Sequence, residues 1–486
     1  MKILLRYLGY ILLISIGFRI VPIIAGIIYG ESVIPYVITA FISLILGFIF
    51  IWFSRRENAN GTLLEVLSLP QAFMLAGIAF LLLPLISSIS FLPSFHYNFI
   101  NAFFESMSGF TTTGLTVYSS LESLPRNLLL WRAETQWIGG IGIVMIFLFI
   151  ITRLQFYAKE ERTQVISTLS LYEALGFSQK LEPSLKRSSK NVVVIYGIYT
   201  LLGIILLYFS GMSLFESISL AFTSISTGGF IVTNTLNINN LQLIILCVLM
   251  LLGSTSFIVH NMLFQGKFKE FILSYEKNIF LLFLLLGIGI TFVVFTDVKV
   301  VIFQLISAFT TTGYAITKIA ILPHLFIMMI VIGMMIGGSV ASTSGGMKVA
   351  RIYSLLAMIP WMTKKLISTR HVVIPLKIHK KVVEDKDLLI IVIFISLYFL
   401  ILFAGTMIFL MLGYKFFDAS FQMVSALGTV GLRTMNLIAV PVIGKIVLIL
   451  AMLFGRLEIF PLLILMISLF KWFGNFSWKI FTNYPK

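Results

Sequence analysis

Long apolar stretches separated by short charged connections are the dominant pattern of this chain. Ten stretches are nearly free of charge, and a helix of about 20 such residues crosses the hydrocarbon of a bilayer. They cover residues 7–30, 32–53, 66–92, 135–152, 191–208, 241–265, 278–296, 322–336, 388–414 and 441–470. The pattern predicts an all-α polytopic membrane protein with ten spans.

The composition restricts the chain to membrane proteins. Hydrophobic residues make up 59% of its 486 positions and charged residues 11%, with a mean hydropathy of +1.04. A soluble domain carries about 25% charged residues, so soluble enzymes, nucleic-acid-binding proteins and disordered proteins are excluded. The single cysteine, Cys247, excludes an intramolecular disulfide and a thiolate metal cluster.

The net charge of +16 is distributed in a way that indicates orientation. Lysine and arginine are concentrated in every second connection, at residues 55–56, 153–190, 267–277, 348–386 and 471–479. Cytoplasmic connections of membrane proteins carry such an excess of positive charge. The distribution predicts a multi-pass protein of the cell (inner or plasma) membrane with both termini in the cytoplasm, and it explains the net charge without nucleic acid.

The other connections contain short segments that are too apolar for water-exposed loops and too short to span. These segments are residues 97–110, 213–225, 300–309 and 416–427. Their length is typical of re-entrant half-helices, and irregular backbone at membrane depth is tolerated only where it is buried in protein or lines a watery cavity.

Each predicted half-helix runs into a cluster of hydroxyl residues and glycine, at residues 111–114, 225–228, 310–313 and 428–431. The last glycines of the clusters, at positions 114, 228, 313 and 431, are separated by 114, 85 and 118 residues, which leaves room for two spans each time. The repeated unit is therefore a span, a half-helix, a glycine strand and a second span. We predict two leading spans in residues 1–65 and four pore repeats in residues 66–170, 171–270, 271–370 and 371–486.

Four such segments around one axis predict a filter for a cation, because a ring of backbone carbonyls replaces the hydration shell that the ion loses. Glycine permits the backbone angles that aim carbonyls at the axis. The predicted filter residues are Thr112, Thr113, Gly114, Ser226, Thr227, Gly228, Thr311, Thr312, Gly313, Thr429, Val430 and Gly431. Close helix packing is the alternative for such small residues, but packing does not require fourfold recurrence at one depth.

Three further strings strengthen a family resemblance that covers essentially the whole chain. They are WRAETQWIGG at residues 131–140, GGSVASTSGGMK at 337–348 and GRLEIF at 455–460. Together with the four clusters, they make the chain similar to the Trk/Ktr superfamily of potassium-uptake membrane subunits, and the two leading spans favour the TrkH-like branch. The resemblance implies potassium as the ion, with Thr112, Thr113, Ser226, Thr227, Thr311, Thr312, Thr429 and Val430 as its expected ligands.

A glycine-rich run interrupts the eighth predicted span. Five glycines fall within residues 333–346, and each costs a helix about 1 kcal/mol relative to alanine, so we expect a broken helix and an intramembrane loop. The resemblance implies that this loop obstructs the cytoplasmic side of the pore as a gate, whereas a tight helix crossing is the alternative. The expected gate residues are Gly337, Gly338, Ser339, Ser342, Thr343, Gly345, Gly346 and Arg456.

Arg456 is placed near mid-membrane, because it follows Lys445 by eleven residues, or about 16 Å of helix. An arginine at that depth normally faces a watery path or a partner. We expect it to repel cations from the closed pore and to donate hydrogen bonds to the glycine-rich loop. A local ion pair is the alternative, but Glu458 lies two residues away and so on a different helix face. Apart from Glu458, we expect no acidic residue deep in a span.

Four other polar residues are less informative. His260 matches a position of the family but is expected to be a hydrogen-bonded packing residue, and Glu105 is expected to cap the start of a half-helix. Arg19 interrupts the first span without an evident function. Arg433 would repel cations at the outer mouth unless a carboxylate such as Glu105 or Asp418 neutralises it.

The function predicted from these features is channel-like potassium uptake, with potassium as substrate and no cofactor. A sodium- or proton-coupled cation symporter of the same fold is the alternative, and an enzyme is disfavoured because no nucleophile–base pair or ligand cluster is evident. The resemblance implies a homodimer and a cytoplasmic, nucleotide-binding regulatory subunit of the TrkA type. The basic connections are long enough to dock such a partner, although topology alone would also make them basic.

Overall fold

The computed structural model describes residues 2–55, 67, 69–160, 185–368, 374–378, 381–383 and 385–473. These residues are almost entirely helical. Among them, six helices are long and apolar enough to cross a membrane, and two sharply bent helix pairs raise that number to eight. The predicted all-α polytopic membrane fold is confirmed.

Two leading spans stand in front of the repeated part of the chain. They consist of α1 (Lys2–Phe18) with α2 (Ile20–Tyr29), and of α3 (Ile34–Arg55). Helices α1 and α3 approach closely at two glycines, because a Cβ atom on Gly9 would lie only 2.8 Å from the carbonyl oxygen of Gly47. Small residues at such crossings are the usual means of packing helices in a bilayer.

The remaining helices follow one scheme four times. The first repeat contains α4 (Leu69–Phe91), α5 (Phe99–Phe110) and α6 (Arg126–Glu160). The second contains α7 (Leu185–Phe209), α8 (Leu214–Ile225), α9 (Asn240–Ser254) and α10 (Phe257–Phe264), and α11 (Phe268–Ile272) follows it. The third contains α12 (Tyr275–Phe292), α13 (Val298–Phe309), α14 (His324–Ile336) and α15 (Val349–Ile367). The fourth contains α16 (Asp385–Met411), α17 (Phe416–Leu427), α18 (Val442–Arg456) and α19 (Phe460–Phe473).

The four half-helices are α5, α8, α13 and α17, and each has 12 residues. Three of them begin at a side-chain cap, which satisfies backbone N–H groups that have no partner within the helix. Asn98 and Asp297 accept from main-chain N–H groups, and Ser213 forms a capping box with Glu216. The Asp297 cap starts α13 at Val298, two residues before the predicted start.

Two of the ten predicted spans bend sharply within their length, which corrects the sequence-based prediction of straight spans. Helices α9 and α10 meet at 102°, and α18 meets α19 at 110°. At the first break the Thr255 hydroxyl bonds back to the carbonyl oxygen of Leu251 over 2.9 Å. At the second, Glu458 and Ile459 have positive φ angles of 58° and 61°. The eighth predicted span is a straight helix of 13 residues, α14, and it ends at Ile336 before the glycines where a break was expected.

A small sheet interrupts the helical pattern after α15. Strands β1 (Leu376–Ile378) and β2 (Lys381–Val383) pair antiparallel, with Leu376 opposite Val383. The indole N–H of Trp361 on α15 donates to the carbonyl oxygen of Ile374 over 2.8 Å and so holds the chain that enters this hairpin. Part of the basic stretch predicted at residues 153–190, and Lys479, lie outside the described residues.

Candidate ion-conduction site

The same backbone turn follows each of the four half-helices. A threonine in the left-handed region comes two residues after the last helical residue, and a glycine with positive φ follows two residues later. The threonines are Thr112 (φ 52°), Thr227 (φ 52°), Thr311 (φ 57°) and Thr429 (φ 51°). The glycines are Gly114 (φ 82°), Gly229 (φ 76°), Gly313 (φ 85°) and Gly431 (φ 93°). The fourfold repeat is therefore present in the backbone itself.

One hydrogen bond recurs in all four turns and explains their common shape. The amide that follows the left-handed threonine donates to the carbonyl oxygen of a hydroxyl residue five positions earlier. The pairs are Thr113 to Ser108 (2.9 Å), Gly228 to Thr223 (2.8 Å), Thr312 to Ser307 (2.9 Å) and Val430 to Ser425 (2.8 Å). Because this bond uses main-chain atoms, Val430 keeps the same turn as the other segments despite its apolar side chain.

The second segment has a different register from the one predicted. Its positive-φ glycine is Gly229, not Gly228, so the glycine separations become 115 (229 − 114) and 84 (313 − 229). The residue six positions before the glycine is then Thr223 and not Phe222. All four repeats consequently carry a hydroxyl residue at that position, and the apparent exception in repeat two disappears.

The four glycines form a closed ring with the neighbouring segments. A Cβ atom on any one of these glycines would collide with a carbonyl oxygen of the next segment. That oxygen belongs to the residue directly before the next segment's own glycine. The pairs are Gly114 with Gly228, Gly229 with Thr312, Gly313 with Val430, and Gly431 with Thr113. The sequence of contacts returns to its start, so the four segments surround one axis, and only glycine fits where they meet.

A second set of glycines brings the following span against the end of each half-helix. A Cβ atom on Gly139, Gly253 or Gly455 would collide with the carbonyl oxygen of the last half-helix residue, which is Phe110, Ile225 or Leu427. In repeat three, Gly333 faces the ring of Phe309 in the same way. Gly333 thus lies inside α14 and serves packing; it does not begin the predicted loop.

Gln136 on α6 holds the second segment in place. Its side-chain N–H donates to the carbonyl oxygen of Gly228 over 2.7 Å, and its oxygen accepts from the amide of Phe230 at 3.0 Å. The two bonds fix the backbone on both sides of Gly229. Sequence reasoning did not single out this residue, although an amide side chain within an apolar span was a usable signal.

A buried ion pair supports the first segment and corrects the role expected for Glu105. Glu105 is the seventh residue of α5, not its cap, and it lies 2.8 Å from the guanidinium of Arg132. It also accepts from the Thr116 hydroxyl at 2.9 Å and from the amide of Val117 at 3.1 Å. Arg132 donates in addition to the carbonyl oxygen of Ile231. The pair therefore connects the residues that follow the first segment, Thr116 and Val117, with Ile231, which follows the second segment.

Tyr314, directly after Gly313, links the third segment to the half-helix of repeat two. Its hydroxyl lies 2.5 Å from that of Thr223. Its carbonyl oxygen accepts from the Ser307 hydroxyl at 2.8 Å and from Gln304 at 3.2 Å. In the fourth segment, Arg433 is exposed and donates to the carbonyl oxygen of Thr116 at 3.3 Å.

The glycine-rich run forms a non-helical loop at residues 337–348, between α14 and α15. Gly337 ends α14 with a φ of 68°. Within the loop, Ser339 donates from its amide to the carbonyl oxygen of Ser254 at 2.9 Å, and the Ser342 hydroxyl donates to Ser339. Gly338 also fits closely, because a Cβ atom there would lie 2.6 Å from that same oxygen of Ser254. We call residues 337–348 the intramembrane loop.

The intramembrane loop contacts three of the four segments that were predicted to form the filter. The amide of Gly345 donates to the Thr311 hydroxyl at 2.7 Å, and the amide of Gly346 donates to the carbonyl oxygen of Gly428 at 3.1 Å. The Thr343 hydroxyl donates to the carbonyl oxygen of Ile225 at 2.9 Å. The hydroxyls of Thr112 and Thr429 are buried and have no hydrogen-bond partner among the described residues.

Arg456 lies at the end of α18 and is 3% exposed. Its guanidinium donates to the carbonyl oxygen of Thr343 at 2.5 Å and to that of Gly139 at 2.7 Å. One positive charge thus joins the intramembrane loop to α6. Glu458 pairs with Arg351 on α15 and not with Arg456.

Glu458 is one of several acids that are buried in the protein. Glu105, Glu134 and Glu276 are also buried. Glu276, in the first turn of α12, accepts from the amide of Val340 in the intramembrane loop at 2.5 Å. Glu134 lies on α6, and one of its carboxylate oxygens is buried with no hydrogen-bond partner in the part of the chain that the structure describes.

His260 and Arg19 serve packing. The ring of His260 lies 3.0 Å from both the Tyr199 hydroxyl and the carbonyl oxygen of Leu252. Arg19 is buried and donates to the Thr39 hydroxyl at 3.0 Å and to the carbonyl oxygen of Ser15 at 2.8 Å. It therefore ties the two leading spans together.

Comparison with known proteins gives consistent results along the chain. The sequence profile of the TrkH family, described as "Cation transport protein", matches residues 37–302 and 296–472. A cation transporter of Methanocaldococcus jannaschii is 32% identical over 96% of this chain and 95% of its own length. The "Trk system potassium uptake protein TrkH" of Escherichia coli is 27% identical over 95% of this chain and 97% of its own length.

A solved structure has the same fold. The crystal structure of "the Potassium Transporter TrkH from Vibrio parahaemolyticus" superposes with a TM-score of 0.82 at 26% identity. The match covers 96% of this chain and 98% of that one.

Proposed function

Since this chain belongs to the TrkH family of cation transport proteins, we propose that it carries potassium ions across the cell membrane through the ring of four filter segments. Relatives of nearly the same length are named as potassium uptake proteins. A transport protein of this kind needs no reacting side chains, so its chemistry is the replacement of water around the ion.

The observation that carries the proposal is the closed ring of glycines. Each glycine lets a carbonyl of the next segment approach its own backbone, in the order Gly114, Gly229, Gly313 and Gly431. The four half-helices end at this ring, and helix C-termini carry partial negative charge. Backbone oxygens and helix ends together favour a dehydrated cation on the axis. The second filter segment in this proposal is Ser226–Gly229, one residue longer than predicted.

We assign the gate to the intramembrane loop, which lies against the filter. It is held by Thr311 and Gly428 from the filter and by Arg456 from α18. A buried guanidinium near the axis repels a cation, so Arg456 adds an electrostatic barrier to the steric one. Opening requires the loop to release these contacts.

The remaining assignments concern topology and partners. The basic connections support cytoplasmic termini, and relatives are named as components of a "Trk system". We therefore retain a homodimer and a cytoplasmic TrkA-type regulatory subunit as proposals, with the basic cytoplasmic segments as docking sites. Coupled symport is the second candidate, and the buried acids Glu134 and Glu276 are where a coupling proton would bind.

Ion flux in proteoliposomes tests this function. We expect uptake driven by a potassium gradient, with little uptake under an equal sodium gradient. The rate is expected to be independent of a pH gradient of one unit across the membrane. Equal potassium and sodium fluxes would contradict the filter, and a rate that follows the pH gradient would favour proton-coupled symport.

A further inference from the structure

Four large apolar side chains are exposed where the chain passes from repeat two to repeat three. Phe264 ends α10, Phe268 and Ile272 lie on α11, and Leu273 follows. Their exposed fractions are 50%, 60%, 62% and 59%. We call these four residues the linker face.

Positive charge accompanies the linker face. Lys267 and Lys269 are exposed on either side of Phe268, and Lys277 lies 4.4 Å from the ring of Phe271. Within residues 264–277, the exposed acid is Glu270, because Glu276 is buried against the intramembrane loop. Three lysines less one glutamate leave a net charge of +2 on this surface.

The linker face lies at a boundary of the bilayer. The candidate span Phe268–Phe292 has 25 residues and includes α11, but the 18 residues of α12 alone extend over about 27 Å, close to the thickness of the hydrocarbon. Its first residue, Tyr275, therefore lies at the boundary that the charge distribution predicts to be cytoplasmic. The chain reaches this point after the 102° bend between α9 and α10, which turns α10 steeply away from the direction of the span.

We propose that the linker face binds anionic phospholipid of the cytoplasmic leaflet. Apolar side chains beside lysines at a bilayer boundary are the arrangement by which interfacial helices bind membranes. Phe264, Phe268, Ile272 and Leu273 enter the acyl region, and Lys267 and Lys269 bind the headgroup phosphates. Each lysine near the membrane surface raises the affinity of a segment for anionic lipid by about fivefold.

The same segment is attached to the intramembrane loop at both of its ends. Before it, the amide of Phe257 donates to the carbonyl oxygen of Ala341 at 3.0 Å, and Ser254 accepts from Ser339 at 2.9 Å. After it, Glu276 accepts from the amide of Val340 at 2.5 Å. A lipid that fixes the segment therefore fixes two supports of the loop. This step rests on the gate assigned above, whereas lipid binding itself does not.

The first experiment measures lipid binding without transport. The variant Phe268→Trp adds one indole to the six tryptophans of the chain, and the parent protein supplies the background. In vesicles with brominated phosphatidylglycerol, we expect the added fluorescence to be quenched several times more strongly than with brominated phosphatidylcholine at the same mole fraction. The double substitution Lys267→Gln/Lys269→Gln should remove most of that preference, because each lysine raises the affinity for anionic lipid by about fivefold.

The matched control is Lys299→Gln, which changes an exposed lysine at the start of α13, beyond the opposite end of α12 from the linker face. It should leave the preference intact. Equal quenching by both lipids would overturn headgroup binding. No quenching by either lipid would also overturn the proposal, because it would mean that the linker face does not enter the bilayer.

The second experiment measures potassium flux in proteoliposomes with and without 30% phosphatidylglycerol. We expect a several-fold difference in rate for the parent and for Lys299→Gln, and a much smaller one for the double variant. A preserved quenching preference with no difference in flux would overturn the coupling to the loop. Absence of flux in every lipid would contradict the proposed function and leave the binding result to stand on its own.

Discussion

The amide of Gly345 donates a hydrogen bond to the hydroxyl of Thr311 over 2.7 Å, which joins the intramembrane loop directly to a filter segment. Both residues are fully enclosed by protein. The loop cannot leave its position without breaking this bond, so a movement of the proposed gate changes a contact of the proposed filter.

Thr311→Val should weaken closure. Valine keeps the branched shape but removes the acceptor of the Gly345 amide. A net hydrogen bond contributes about 1 kcal/mol, so we expect the potassium flux without a regulatory subunit to rise about fivefold. Proteoliposome uptake measures it. Thr112→Val is the control, because the Thr112 hydroxyl lies in the same ring without a hydrogen-bond partner; an equal rise there would show that the loop contact is not the cause.

Gly313→Ala should abolish selective transport. The added Cβ atom collides with the carbonyl oxygen of Val430, and the φ of 85° is strained for alanine. We expect the potassium flux to fall at least tenfold or to lose its preference over sodium. Gly289→Ala on α12 is the matched control, since no atom lies within 4 Å of its Cβ position. Normal ion ratios in Gly313→Ala would contradict the ring.

Gln136 offers a graded test of the second segment. Gln136→Glu keeps an oxygen that can accept from the Phe230 amide but removes the donor to the carbonyl oxygen of Gly228. Gln136→Leu removes both bonds. We expect the selectivity for potassium over sodium to fall in both variants and further in the leucine variant, as measured by competitive uptake. Unchanged selectivity in the leucine variant would remove Gln136 from the site.

Arg456→Ala should raise basal flux, because it removes both the buried charge and the bond to Thr343. Arg456→Lys keeps the charge but cannot reproduce a guanidinium that reaches two carbonyl oxygens, so its flux should lie between those of the alanine variant and the parent. Uptake without a regulatory subunit gives the order. Should the alanine variant transport less than the parent while retaining its thermal stability, Arg456 would not be a barrier.

The Glu105–Arg132 pair predicts a pattern of stabilities. Removing one member of a buried pair leaves an uncompensated charge and costs about 3–5 kcal/mol. Glu105→Gln and Arg132→Gln should therefore each lower the midpoint of thermal unfolding in detergent. The double variant Glu105→Gln/Arg132→Gln should be less destabilised than the sum of the two. Strict additivity would mean that the two side chains do not interact in the folded protein.

Much of the architecture follows from the sequence, because helices in a bilayer must satisfy their own backbone and therefore show their length as an apolar run. The four half-helices were predicted within two residues at each end. The hydroxyl and glycine clusters also located the four left-handed threonines. Residues such as Gly114 and Gly313 could be identified because a positive φ and a close approach both require glycine.

Only the tertiary structure decided which groups meet across repeats. The positive φ angle at Gly229 and not at Gly228 is one such feature. The hydrogen bonds of Gln136 to Gly228 and of Val340 to Glu276 are two more, and both join residues that are distant in sequence. At the break after Ser254, the intramembrane loop binds the freed main-chain groups, because the amides of Ser339 and Thr343 donate to the carbonyl oxygens of Ser254 and Gly253. Apolar runs record where the chain meets lipid. They carry no information on which buried polar atoms face one another, since that depends on how the helices are arranged around the axis.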